Sequence, residues 1–359
     1  MKKIVFLLFF LMVGIVFFLR FPQTHTSFLS SSSTKQKLSQ PTPLSVVTDE
    51  STAIFVPYWV VTGKKLAISE YDTVIYFGIT ATASGIDRTE EGYTKLATFN
   101  NGLPKGTTTL LTLRMLDPDT NFSILEKKDM QKNVIDETIA LAEKYEFSGV
   151  VLDLELNALP FDSVLKNITS YNTAFAKAAH QQNLTFSTTL YGDTFYRFRP
   201  YNVADIAKNV DMIYIMAYDF HKSRGNPGPN FPYTGRDTYG YDFQKMVDDF
   251  LHVAPDEKVS VVFGMFGYDW KVDEKGKAQG NGISLSTYKV QQQFIDSCTQ
   301  KHCEYTRDTQ SGETKITYVT NTDEKHSIWF EDEKSVSTKK DYLKSKGISS
   351  VSYWAYSYY

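Results

Sequence analysis

A chain of 359 residues with 42% hydrophobic and 14% aromatic content has enough apolar material for one large domain or two ordinary ones. Its net charge of −3 gives no electrostatic reason to expect nucleic acid as a partner. Two cysteines are too few for a zinc site, and the six histidines show no ligand spacing, so no metal or organic cofactor is implied.

The chain opens with Met1-Lys2-Lys3 and an apolar run from Ile4 to Leu19. A positive start before such a run reads, over residues 1–21, as a signal peptide or a signal anchor. Arg20, Phe21 and Pro22 follow without a small-x-small cleavage site, which favours an uncleaved anchor. The bulk of the chain is then expected outside the cytoplasm, secreted or held at the membrane by its N-terminal segment. Residues 22–50 are rich in Ser, Thr, Pro and Gln, cannot bury a core and read as a flexible linker. In an exported chain Cys298 and Cys303 could close a small disulfide loop, or each could remain a free thiol.

Residues 51–359 carry eight β-like runs: Ala53–Tyr58, Val74–Thr80, Thr108–Arg114, Gly149–Glu155, Thr185–Leu190, Met212–Tyr218, Val259–Met265 and Ser350–Ala355. Helix-like stretches lie between several of them. In Asp129–Glu146 one stripe holds Val134, Ile135, Thr138, Ile139 and Ala142, and Val164–Gln182 and Phe243–Ala254 have similar spacing. Alternation of strands and helices predicts an α/β fold with a parallel sheet, and eight strands suggest closure into a (β/α)8 TIM barrel. About 85 residues separate the seventh run from the eighth, far more than one crossover needs. They read as a small α+β insertion, about 271–325, whose hairpins could wall one side of a groove.

The fourth run carries the strongest chemical signal. Along a strand Val151, Asp153 and Glu155 share one face, and Val150, Leu152 and Leu154 share the other. Ionised acids at the end of a buried strand are costly unless something uses or neutralises them. Barrel strand ends carry the chemistry in this architecture, and two same-face acids suit general acid catalysis with charge stabilisation. The bland alternative makes Asp153 a helix cap and pairs Glu155 with a cation such as Arg114, but a cap explains only one of the two acids.

In Ser148-Gly149-Val150-Val151-Leu152-Asp153-Leu154-Glu155 the chain resembles glycoside hydrolase family 18, whose fourth-strand signature is D-G-x-D-x-D-x-E. The last two acids are retained, and Ser148 and Val151 replace the first two. Met216-Ala217-Tyr218-Asp219 looks like the family's M-x-Y-D. Phe263-Gly264-Met265-Phe266-Gly267-Tyr268-Asp269-Trp270 loosely matches its strand-seven region, and Tyr353-Trp354-Ala355 its terminal tryptophan strand. His326-Ser327-Ile328-Trp329-Phe330-Glu331-Asp332 resembles a segment before the last helix in bacterial chitin- and peptidoglycan-active branches.

The resemblance implies hydrolysis of β-1,4-linked N-acetylhexosamine polymers, chitin-like or peptidoglycan, by substrate-assisted retention. It implies an N-acetylated polysaccharide or oligosaccharide as partner, and the chain is expected to act as a monomer. Glu155 would be the proton donor and Asp153 would orient the acetamido group. Tyr218 would bond the acetamido carbonyl, Asp219 would support that pocket, and Trp354 would form the sugar-facing floor. Met216 and Tyr58 are further candidates at the groove, and both also suit plain packing.

Two departures matter. Without an acid at Val151, Asp153 loses a like-charged neighbour and is expected to stay ionised and turned towards Glu155. In Thr112-Leu113-Arg114-Met115, where the family has small residues, Arg114 is expected to pair with Asp153 or Glu155, or to bind an acidic substituent of the substrate. Two alternatives remain open: a lectin-like barrel that binds without turnover, and a hydrolase using two enzyme carboxylates, with Asp219 or Asp153 as the second.

Overall fold

The structure, a computed structural model, describes residues 50–359; the expected signal segment and nearly all of the expected linker lie outside them. In chain order the first strands are β1 (Ser51–Pro57), β2 (Thr73–Thr82), the two-residue β3 (Gly85–Ile86) and β4 (Thr108–Met115). There follow β5 (Gly149–Leu154), β6 (Thr185–Tyr191), β7 (Met212–Ala217) and β8 (Val259–Gly264). Five strands then form a separate sheet: β9 (Phe266–Val272), β10 (Ile283–Ser286), β11 (Lys301–Arg307), β12 (Thr314–Val319) and β13 (Lys325–Phe330). β14 (Ser350–Trp354) returns to the first sheet.

That first sheet runs β1-β14-β8-β7-β6-β5-β4-β2, all neighbours parallel, and the β1–β2 pairing closes it into an eight-stranded barrel. Its strands are the eight runs expected from sequence, with ends shifted by no more than two residues. The helices Lys128–Lys144, Asp162–Gln181 and Phe243–Leu251 cover the outside. The first of them buries the expected stripe of Val134, Ile135, Thr138, Ile139 and Ala142. Not every crossover is a full helix, since β1 and β2 are joined through a single 3-10 turn, Tyr58–Val60.

Alternation along the strands divides the apolar side chains into two cores. On β5, Val150, Leu152 and Leu154 point outward to the helices, and Val151 joins Ala53, Phe55, Ile75, Phe77, Leu110, Tyr214 and Val262 inside the barrel. β5 can lie this close to β6 because Gly149 has no side chain; a Cβ there would meet the Thr185 carbonyl oxygen at 2.6 Å.

The insertion between β8 and β14 is the expected small α+β unit, an antiparallel sheet ordered β10-β9-β13-β12-β11 with the short helix Thr287–Val290. It buries its own cluster of Val290, Phe294, Ile316, Tyr318, Ile328 and Phe330, and Cys298 and Cys303, bonded as a disulfide, pack against it. The run Phe263–Trp270 is therefore split: Phe263 and Gly264 end a barrel strand, and Phe266 to Trp270 belong to the insertion.

A buried charge cluster ties the insertion to the barrel. Lys339, on the helix Glu333–Ser345, donates to Glu331, to the Phe231 carbonyl at 2.6 Å and to Glu313 at 3.4 Å, and all three charged groups are fully buried. Glu313 in turn accepts the backbone N–H groups of Asn230 (2.6 Å) and Phe231 (2.8 Å). Asp332 caps that last helix in a capping box with Ser335 and also receives both terminal nitrogens of Arg307. Among the described residues no helix is long and apolar enough to cross a membrane.

Two carboxylates share one lysine here, and burial, reinforced by the charge of Glu313, raises the Glu331 carboxyl to about 7 although Lys339 opposes the shift. A raised acid keeps its proton longer in the folded than in the unfolded chain. Its contribution to stability is therefore complete below the ordinary glutamate value and is lost as pH rises towards 7. Urea unfolding at pH 4.5 and 7.5 should show this decline, and Glu331→Gln should make it shallower by about 1–3 kcal/mol.

Candidate active site

The end of β5 sits beside the end of β6, and the ladder between them pairs Gly149 with Thr185 through Leu152 with Thr188. Continued at that offset, the register brings hydroxyls to both acids. Thr189 donates through Oγ1 to Asp153 Oδ1, and the Tyr191 hydroxyl donates to Glu155 Oε2 at 2.7 Å. Asp153 is only 2% exposed, whereas Glu155 is partly open. The surrounding backbone is pinned: the Tyr201 hydroxyl donates to the Leu154 carbonyl (2.8 Å) and accepts the Leu156 N–H (2.9 Å). Asn121 Nδ2 reaches the carbonyls of Met115 (2.7 Å) and Glu155 (3.2 Å).

The expectation that Asp153 stays ionised meets an opposing effect. Burial, more than the neighbouring Glu155, pushes its carboxyl up to about 7, and the Thr189 hydrogen bond and the more distant Arg114 offset this only in part. Val151 sets no like charge beside Asp153, but it belongs to an apolar barrel interior, and desolvation decides the result. Asp153 Oδ1 accepts from Thr189.

Both acids open into a cavity of about 280 Å³ that Met216, Tyr218, Asp219 and Trp354 also line. Tyr218 and Asp219 follow directly on β7. Tyr218 packs over Gly264, where a Cβ would stand 2.6 Å from its own Cβ, and burial, reinforced by the carboxylates around it, pushes its hydroxyl well up. Asp219 holds a left-handed backbone (φ 58°); its N–H donates to Asn230 Oδ1 at 2.8 Å, and its carboxylate accepts the Tyr268 hydroxyl at 2.7 Å. Burial raises the Asp219 carboxyl. Trp354 stacks over Tyr218 (centroids 6.5 Å apart) and meets Phe77 edge-on at 4.7 Å.

The structure thus brings together Glu155, Asp153, Tyr218, Asp219, Trp354 and Met216, but not Arg114 or Tyr58. Arg114 pairs with Glu90 at 2.5 Å and with Thr80, instead of Asp153 or Glu155, and it stacks its guanidinium over Tyr58 (5.1 Å) and Phe77 (5.4 Å). Glu90 captures it because the β2–β3 hairpin turns the chain back over the end of β4. Arg114 is 6% exposed, and neither it nor Tyr58 lines the cavity.

Sequence reasoning gave no catalytic or binding role to Thr189, Tyr191 and, from the insertion, Phe266, Tyr268 and Ser284, all of which line the cavity or its lobe beside Lys222. The alternation of Thr189 and Tyr191 on β6 was visible, but the stagger that sets them opposite the two acids was not. Among the described residues no cluster of three or more His, Cys, Asp or Glu could hold a metal ion.

A sequence model of the family described as Glycosyl hydrolases family 18 matches residues 33–358. The chain is similar to the glycosylase YvbX of Bacillus subtilis, with 25% identity over 253 residues covering 67% of this chain and 66% of that protein. It is also 25% identical, over 267 residues, to the cortical fragment-lytic enzyme of Bacillus anthracis, covering 72% of this chain and 58% of that enzyme. The matches therefore span 66% and 58% of the length of these two curated relatives. The fold is shared with a family 18 chitinase of Cycas revoluta solved with (GlcNAc)3, at a TM-score of 0.72 and 19% identity, over 86% of this chain and 95% of that one.

Since Arg114 is held by Glu90 and buried aromatic faces, its loss should be felt as stability. Urea unfolding of Arg114→Met should show a loss of about 1–3 kcal/mol, below the range for a fully buried pair because Glu90 can turn to water.

Proposed function

The chain belongs to glycosyl hydrolases family 18, and from that membership we propose that it hydrolyses β-1,4-linked N-acetylhexosamine polymers, chitin-like or peptidoglycan, with retention at the anomeric carbon. The observation that carries this reading is the pair Asp153 and Glu155, one buried and one open, on the floor of a cavity bounded by Tyr218 and Trp354. Glu155 gives its proton to the glycosidic oxygen as that bond breaks. The acetamido carbonyl of the substrate closes on the anomeric carbon, forming an oxazolinium ion, and Glu155 then takes a proton from the water that opens it. The enzyme supplies no nucleophile.

Asp153 faces the acetamido nitrogen and balances its developing charge, the Tyr218 hydroxyl bonds the acetamido oxygen, and the Trp354 ring carries one face of the sugar. Similarity to a cortical fragment-lytic enzyme and to a chitinase fold supports this substrate class. We further propose export, with Ile4–Leu19 as secretory signal or membrane anchor; the Cys298–Cys303 disulfide suits an oxidising compartment.

The test is turnover of N-acetylglucosamine oligomers and of purified peptidoglycan by residues 50–359. Glu155→Gln should lower kcat by at least about a hundredfold. Glucose-based oligomers without the acetamido group should be inert, and hydrolysis of them would replace substrate assistance with a second enzyme carboxylate. Calorimetric binding of N-acetylated oligomers without any product would make the protein a sugar-binding barrel instead.

A further inference from the structure

The geometry points to Tyr191 as a positioning residue for the proton donor. This inference rests on the reading of Glu155 as that donor. β6 presents Thr189 and Tyr191 on one face, and each meets one acid of β5 at the same separation of 36 residues, the offset of the β5–β6 ladder itself. One strand thus assigns a separate hydroxyl to each carboxyl group. Asp153 is taken by Thr189, so the side-chain partner of Glu155 is Tyr191, at 2.7 Å on Oε2. A hydroxyl that donates to Oε2 fixes that oxygen as an acceptor. The transferable proton is then carried on Oε1, the oxygen left for the substrate.

Tyr191 is itself braced. The Arg199 guanidinium stacks on its ring at 3.6 Å and is anchored by Asp193 through two nitrogens, at 2.5 and 3.1 Å. Arg197 adds a third contact to Asp193 at 2.7 Å. Tyr191 therefore needs no substrate to hold it in place. The ionisable groups facing Glu155 are Asp153 on its own strand, Tyr191 and Tyr201 from β6 and the loop after it, and Tyr218 after β7. Asp193, Asp219 and Lys222 share its lobe of the cavity.

Tyr191→Phe keeps the ring on Arg199 and deletes only the hydroxyl. The expected result is a fall in kcat of about tenfold with KM changed less than about twofold. The alkaline arm of the kcat profile should also move up, because a donor to the charged carboxylate is gone. A second readout, carbon NMR titration of the Glu155 carboxyl with Glu155→Gln for assignment, does not depend on turnover. A Tyr191→Phe protein whose kcat profile and Glu155 titration coincide with those of the parent would overturn the inference. If the parent hydrolyses nothing, the hydrolase reading fails, and the titration alone decides whether Tyr191 holds Glu155: a moved midpoint supports the bond and an unmoved one refutes it.

Discussion

The register between β5 and β6 is the constraint on which the rest of the molecule turns. A parallel barrel leaves each strand no freedom to slip, because a one-residue shift would carry Val151, Asp153 and Glu155 to the helix-facing side and Val150, Leu152 and Leu154 into the barrel. Gly149 lets the two strands approach, and the ladder then delivers Thr189 to Asp153 and Tyr191 to Glu155. Two acids that would repel each other inside an apolar barrel are held on different donors, at different depths, in different amounts of water. That difference gives the acids different chemistry although they stand two residues apart.

The opposite wall depends on a longer chain of contacts. Lys339 of the last helix neutralises Glu313 of the insertion, and Glu313 fixes the backbone of Asn230. The Asn230 side chain accepts the Asp219 N–H and donates to the carbonyls of Gly264 and Phe266 at 3.1 and 3.0 Å, where a barrel strand gives way to the insertion sheet. Asp219 then receives Tyr268 from that sheet. The insertion is consequently part of the cavity, bound to it by side chains whose polar atoms are almost all paired. Burying three charges is rarely favourable in itself, but breaking one member of such a set leaves the others unpaired, which makes the arrangement specific.

What the sequence made legible was local in period. Alternation on Gly149–Glu155 gave the facing of both acids, and the stripe in Lys128–Lys144 gave a covering helix, because both patterns repeat within a few residues. Short matches to one family placed Tyr218, Asp219 and Trp354 near the acids. The partner of Arg114 was not legible, since Glu90 stands 24 residues away and arrives only through the β2–β3 hairpin. Tyr268 was hidden for a related reason: its run reads as a single strand, and nothing in it announces the change of sheet after Gly264. Thr189 and Tyr191 needed the stagger of the barrel, which no single strand contains.

The state of Asp153 follows from the same distinction between local and tertiary information. Counting neighbouring charges along β5 argues for an ionised aspartate, because Val151 carries no charge. Counting solvent argues the reverse, and solvent wins: Asp153 is buried, and Val151 beside it belongs to the apolar barrel interior with Phe55, Phe77 and Tyr214. A carboxyl poised near neutrality costs little to switch between forms. On the proposed mechanism this suits a group whose charge burial holds down in an apolar barrel and which becomes fully charged when a positive ring forms above it. The oxazolinium would then repay the desolvation of Asp153 at the step where its charge is needed, and an aspartate kept ionised at rest would carry that cost throughout the cycle.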